Sequence, residues 1–90
     1  MNYAEIIALH SREREELIKQ QALSRRDIAA RHNSELNLIN KSRKGAVEKA
    51  ALLIRHSKEL IEHAKLFIVR RAEMDERHAT ELKSAIRYIP

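Results

Sequence analysis

Apolar residues recur along most of this chain in steps of three and four, the spacing that gathers side chains on one side of an α-helix. In the first half Ile6, Ile7, Leu17, Ile18, Ile28, Ala29, Leu38 and Ile39 share a face. Asn2 followed by Glu5 has the spacing of a capping box, with Met1 and Ile6 placed as a hydrophobic staple, so a first helix is expected over about 2–40. In the second half Val47, Ala50, Ile54, Ser57, Ile61, Ala64 and Ile68 follow the same steps, and Leu82, Ala85 and Ile89 resume them beyond a charged stretch from Arg70 to His78. Leu53, Leu60 and Phe67 widen that stripe beyond a two-stranded seam, as in a bundle helix with more than one neighbour. The second helix is expected over about 46–89.

Between the two runs lies Asn40-Lys41-Ser42-Arg43-Lys44-Gly45, which is polar, aperiodic and contains the only glycine. Gly45 can end a helix in the left-handed conformation, or cap the next helix with Glu48 in its first turn, and the three cations suit a helix carboxyl terminus. The turn is therefore placed at 41–45. A break at Asn33-Ser34, giving three helices, and one unbroken rod are the competing arrangements, since a single glycine costs a helix only about 1 kcal/mol. A second regularity is an eleven-residue series, Ile6, Leu17, Ile28, Ile39, Ala50, Ile61 and Ala72. Eleven residues make close to three turns, so such a stripe runs nearly straight along a helix.

Folding about residue 43 pairs positions whose numbers sum to about 86, so that Leu17 meets Ile68 and Val69 while Ile39 meets Val47. The charged stretch from His10 to Glu16 then falls opposite the one from Arg70 to Glu76. The expected fold is all-α: a single domain over 1–90 forming a long, antiparallel, coiled-coil-like hairpin. Such a hairpin would complete a helical bundle by dimerising or by docking on a larger protein.

Composition agrees. One Gly, one Pro, 3% aromatic and 34% charged residues describe a long helix rather than a compact α/β domain. The chain has no cysteine, and its apolar runs, such as 50–54 and 66–69, fall far short of the roughly 18 residues of a membrane span. No basic-then-apolar leader opens the sequence, so a soluble cytoplasmic protein without membrane attachment is expected. The net charge of +5 is spread among mixed signs rather than segregated, and biases the partners toward acidic surfaces without selecting one.

Chemistry finds little footing. A helical metal site calls for two histidines four apart, or a carboxylate three before a histidine, repeated on a facing helix. Among His10, His32, His56, His63 and His78 no pair is four apart; His56, Glu59 and His63 share a face and Asp75 stands three before His78, but neither arrangement recurs. The histidines are expected to be solvated or interfacial, with no metal and no cofactor. Cysteine, a glycine-flanked serine elbow and a glycine-rich phosphate loop are all missing, and two helices offer no deep pocket. No enzyme and no small-molecule substrate are expected.

Two working surfaces remain. Leu53, Ile54, Leu60, Ile61, Phe67 and Ile68 are the candidate protein-interaction residues of a small adaptor, regulator or inhibitor, whose partner is a copy of itself or a larger protein. Arg25, Arg26, Lys41, Arg43 and Lys44 are the candidate phosphate contacts of a nucleic-acid-associated protein. The dense basic block of a zipper-type recognition helix and aromatic platforms for single strands are both lacking.

Overall fold

The computed structural model describes residues 2–42 and 45–86. They form two helices and no strand: α1 (Tyr3–Lys41, 39 residues) and α2 (Ala46–Ile86, 41 residues). Neither helix contains glycine or proline, so nothing interrupts the ladder of backbone hydrogen bonds. Asn2 starts α1: its side-chain oxygen accepts from the Glu5 N–H at 2.8 Å, and its carbonyl accepts from the Ile6 N–H at 3.1 Å. The Glu5 carboxylate, expected to reach back to a backbone N–H, instead accepts from the Asn2 side-chain amide at 3.3 Å. The staple residue Met1 lies outside the described residues, as do 87–89, the expected last residues of the second helix.

The three-helix and single-rod alternatives are both excluded. At the competing break, Asn33-Ser34, the Ser34 hydroxyl donates to the Ala30 carbonyl at 3.1 Å, so the side chain that could compete with the helix bonds along it. Ser57 and Thr80 do the same to the carbonyls of Leu53 and Glu76. The chain turns after Ser42, whose N–H donates to the Leu38 carbonyl and whose hydroxyl donates to the Ile39 carbonyl, each at 3.0 Å. Gly45 takes the capping role: its carbonyl accepts the Lys49 N–H at 3.3 Å, and its backbone is not left-handed.

The hairpin divides into two compact units, Met1–Gln21 with Phe67–Pro90, and Ala22–Leu66. Each is an antiparallel pairing of a piece of α1 with a piece of α2. In the first unit the covered positions are Ile6, His10, Glu13, Leu17 and Gln21 on α1, with Phe67, Met74, His78, Glu81, Leu82 and Ala85 on α2. In the second they are Ser24, Ile28, His32, Glu35, Leu36 and Ile39, with Leu52, His56, Glu59 and His63. Along α1 the steps are four, three and four, closing every eleven residues, and the expected series Ile6, Leu17, Ile28, Ile39 lies in the seam. On α2 the expected Ala50, Ile61 and Ala72 are exposed, and the eleven-residue series is instead Leu52, His63, Met74 and Ala85, two residues later.

That shift has a physical cause. Stacked histidine rings pair positions whose numbers sum to 88, not 86, in both units. The seam also holds polar residues where the most apolar stripe would have placed isoleucine. Only Leu52, Phe67 and Met74 are buried apolar side chains among the described residues, beside four buried histidines. Ile54, Ile61 and Ile68, the expected centre of the packing, lie outside the seam.

Candidate functional site

Four segments of the chain carry a histidine followed three residues later by a glutamate: His10/Glu13, His32/Glu35, His56/Glu59 and His78/Glu81. Three residues is just under one helical turn, so each pair projects from neighbouring points of the same face. In three of the four an arginine precedes the histidine (Arg31, Arg55, Arg77), and Leu9 holds that place in the other. The antiparallel fold sets these segments against each other two by two.

In the first unit the rings of His10 and His78 stack with centroids 3.7 Å apart and planes within 7°. His10 Nε2 lies 2.6 Å from Glu81 Oε2, and His78 Nε2 lies 3.4 Å from Glu13 Oε2, so each ring addresses a carboxylate of the opposite helix. Arg77 hydrogen-bonds to Glu13 and reaches Glu81 at 3.4 Å, tying the two carboxylates together. The Arg77 guanidinium, then His78, hold the Glu13 carboxyl below its ordinary range. His10, then the charge of Arg77, do the same for Glu81, and Glu13 in turn raises Arg77.

The second unit repeats the arrangement. His32 and His56 stack at 3.7 Å and 7°. His56 Nε2 is 2.9 Å from Glu35 Oε2 and His32 Nε2 is 3.5 Å from Glu59 Oε2. Arg31 pairs with Glu59, and Arg55 reaches Glu35 at 3.3 Å. His56 first, and then Arg55, lower the Glu35 carboxyl. Chemically these are crosslinks. Each carboxylate faces a histidine ring and a guanidinium group, and among the described residues no three His, Cys, Asp or Glu groups converge to hold a metal ion. A carboxylate three residues after four of the five histidines, rather than three before, is the readable signal.

The sequence-derived site residues fall on other surfaces. Ile54, Ile61 and Ile68 are 59%, 53% and 68% exposed, and Leu53 and Leu60 are exposed as well. Spaced seven apart, the three isoleucines hold nearly one line on a flank of α2 outside the seam. Phe67 does not join them: at 4% exposure it is part of the first unit's own seam, with the Arg70 guanidinium 5.1 Å from its ring centroid. Within that unit a groove of about 350 Å³ opens above Phe67, bordered by Leu17, Ile18, Ile68 and Ala72, with Arg71 and Asp75 at its edge. Another, of about 470 Å³, is lined by Ile6, Leu9, His10, Thr80 and Glu81 among others.

Of the candidate phosphate contacts, Arg25, Arg26 and Lys41 are exposed in the second unit and take part in none of the ion pairs above; Arg43 and Lys44 lie outside the described residues. Among the described residues no helix is long and apolar enough to cross a membrane. No protein-family model matches the chain, and no curated protein or solved structure matches it either.

Proposed function

We propose that the chain is a non-enzymatic interaction module, an adaptor, regulator or inhibitor that works through the exposed apolar flank of α2. The observation that carries this reading is the division of labour on that helix. The hairpin closes on the stripe through Leu52, His56, His63, Phe67, Met74 and His78, while Leu53, Ile54, Leu60, Ile61 and Ile68 remain uncovered. Large aliphatic side chains gathered on one exposed flank mark a surface meant to be covered. The layers of stacked histidines facing glutamates hold the helices in register.

The test is affinity capture from the native cell extract with the parent protein, Ile54→Asp and Ile61→Asp. Loss of the captured protein with unchanged helix content supports the reading; undiminished capture by both variants overturns it. A nucleic-acid reading is favoured by one observation, the exposed Arg25, Arg26 and Lys41, which join no ion pair among the described residues. It predicts duplex binding that weakens steeply with salt and is reduced by Arg25→Ala with Arg26→Ala.

A further inference from the structure

We propose that the partner covering this flank in the second unit is an amphipathic α-helix edged with carboxylates. This rests on the reading of the flank as the working surface and names the chemistry of its occupant.

The stripe on α2 repeats every seven residues. Val47, Ile54 and Ile61 form one line, 80%, 59% and 53% exposed, and Ala50, Ser57 and Ala64, exposed as well, form the line beside it. Steps from one line to the other alternate three and four, the spacing that winds one helix on another. β-branched side chains on one line and small ones on the next let a partner helix seat between the isoleucines and approach closely. A bilayer surface is served instead by bulky anchors, and Ala50, Ser57 and Ala64 offer it little area.

The two edges of the stripe differ. On one side Leu53 and Leu60, 45% and 37% exposed, carry the apolar surface toward the hairpin's own seam. On the other, Lys58 and Lys65 follow Ile54 and Ile61 by four residues, one helical turn on. Lys65 also reaches Glu62 on its own helix at 3.6 Å, an exposed contact that contributes little. The acids of α2 in this unit stand farther round the helix. Glu48 and Glu62 directly follow Val47 and Ile61 in sequence, about 100° away and behind the lysine edge, while Glu59 is turned to Arg31 and His32 of α1. Glu35 of α1 is likewise turned to Arg55 and His56. Charges at such edge positions decide which helix pairs with which, and two lysines call for carboxylates on the facing edge of the partner. They also disfavour a second copy. Two such stripes packed antiparallel bring lysine edge to lysine edge, and packed parallel they set lysine against leucine.

The probes are two fluorescein-labelled synthetic peptides of about four heptads, with leucine at the two apolar positions and either glutamate or lysine at both edges. Like charges keep each peptide from pairing with itself. Fluorescence anisotropy against the full chain is expected to show the glutamate peptide binding at least about tenfold more tightly than the lysine peptide. Lys58→Glu with Lys65→Glu should exchange that preference, which a merely adhesive apolar surface would not do. Ile61→Asp should abolish binding of both peptides, and circular dichroism checks that every variant remains helical. Equal affinity for the two peptides, no binding of the glutamate peptide at about 100 µM, or a preference that survives the double charge reversal overturns the proposal. So does binding of the parent to vesicles of anionic phospholipid in place of the peptide, which assigns the surface to lipid. If the peptides are not distinguished while Ile54→Asp still abolishes capture from extract, the interaction module stands and its acidic partner falls.

Discussion

Replacing Phe67 by alanine tests how the first unit is held together. The ring is 4% exposed and packs in the seam beneath the groove lined by Leu17 and Gln21. Phenylalanine-to-alanine changes in interiors cost about 3–5 kcal/mol, part for lost transfer free energy and part for the cavity left behind. Here the groove above the ring is already open, so water and the flexible neighbours Ile18 and Arg71 can fill the space, and the low end, about 3 kcal/mol, is expected. Losing the Arg70 guanidinium over the ring adds about 0.5 kcal/mol. A chain of this length has a total stability of about 5–13 kcal/mol. At about 5 °C per kcal/mol, Phe67→Ala should lower Tm by about 15 °C. The melts are followed by far-ultraviolet circular dichroism at several protein concentrations, since association shifts Tm by mass action. Val69→Ala, on a half-exposed neighbour, should cost under about 0.5 kcal/mol, and Phe67→Leu about 1 kcal/mol. Equal shifts for Phe67→Ala and Val69→Ala at every concentration would refute the assignment of the seam.

Glu35, lowered by His56 and then Arg55, contributes stability that is present above about pH 4.5 and lost as pH falls through its lower folded value. Denaturant titrations from pH 7 to pH 3 should therefore show Glu35→Gln less stable than the parent at pH 7, with the gap closing on acidification; a constant gap sinks the idea. A double-mutant cycle of His32→Leu and His56→Leu should give a coupling of about 0.5–1.5 kcal/mol for the stacked pair, and additivity would show that the stack contributes nothing. Asn2→Ala, which removes the acceptor for the Glu5 N–H, should cost about 1 kcal/mol in thermal unfolding, with the loss of helix confined to the start of α1.

The hairpin was legible because its breakers are so few. Gly45 and the polar run before it admit one turn, and the observed ends of the helices flanking it, Lys41 and Ala46, fall within a residue of those expected. The seam was half legible. On α1 the eleven-residue series through Ile6, Leu17, Ile28 and Ile39 does lie inside. On α2 the strongest apolar line, Ile54–Ile61–Ile68, drew the eye to the wrong flank, because hydrophobicity ranks residues by their aversion to water and not by the partners available to them. A histidine stacked on another and bonded to a carboxylate can occupy a covered position that its polarity alone would forbid. The candidate interaction residues consequently divide, with Phe67 inside and the other five outside.

The histidine layers also act as a two-point gauge on chain length. His10 and His32 are 22 residues apart on α1, and His56 and His78 are 22 apart on α2. Deleting one residue between His10 and His32 would turn His10 about 100° away from the seam while His32 kept its place, so a single-residue change in one helix cannot satisfy both layers. A slip of one helical turn would unstack both pairs at once and part every histidine from its glutamate. Lengthening both helices together by eleven residues, close to three whole turns, would leave every ring facing its mate. Matched changes of near-whole turns in both helices keep each ring facing its mate, whereas an unmatched change in one helix does not.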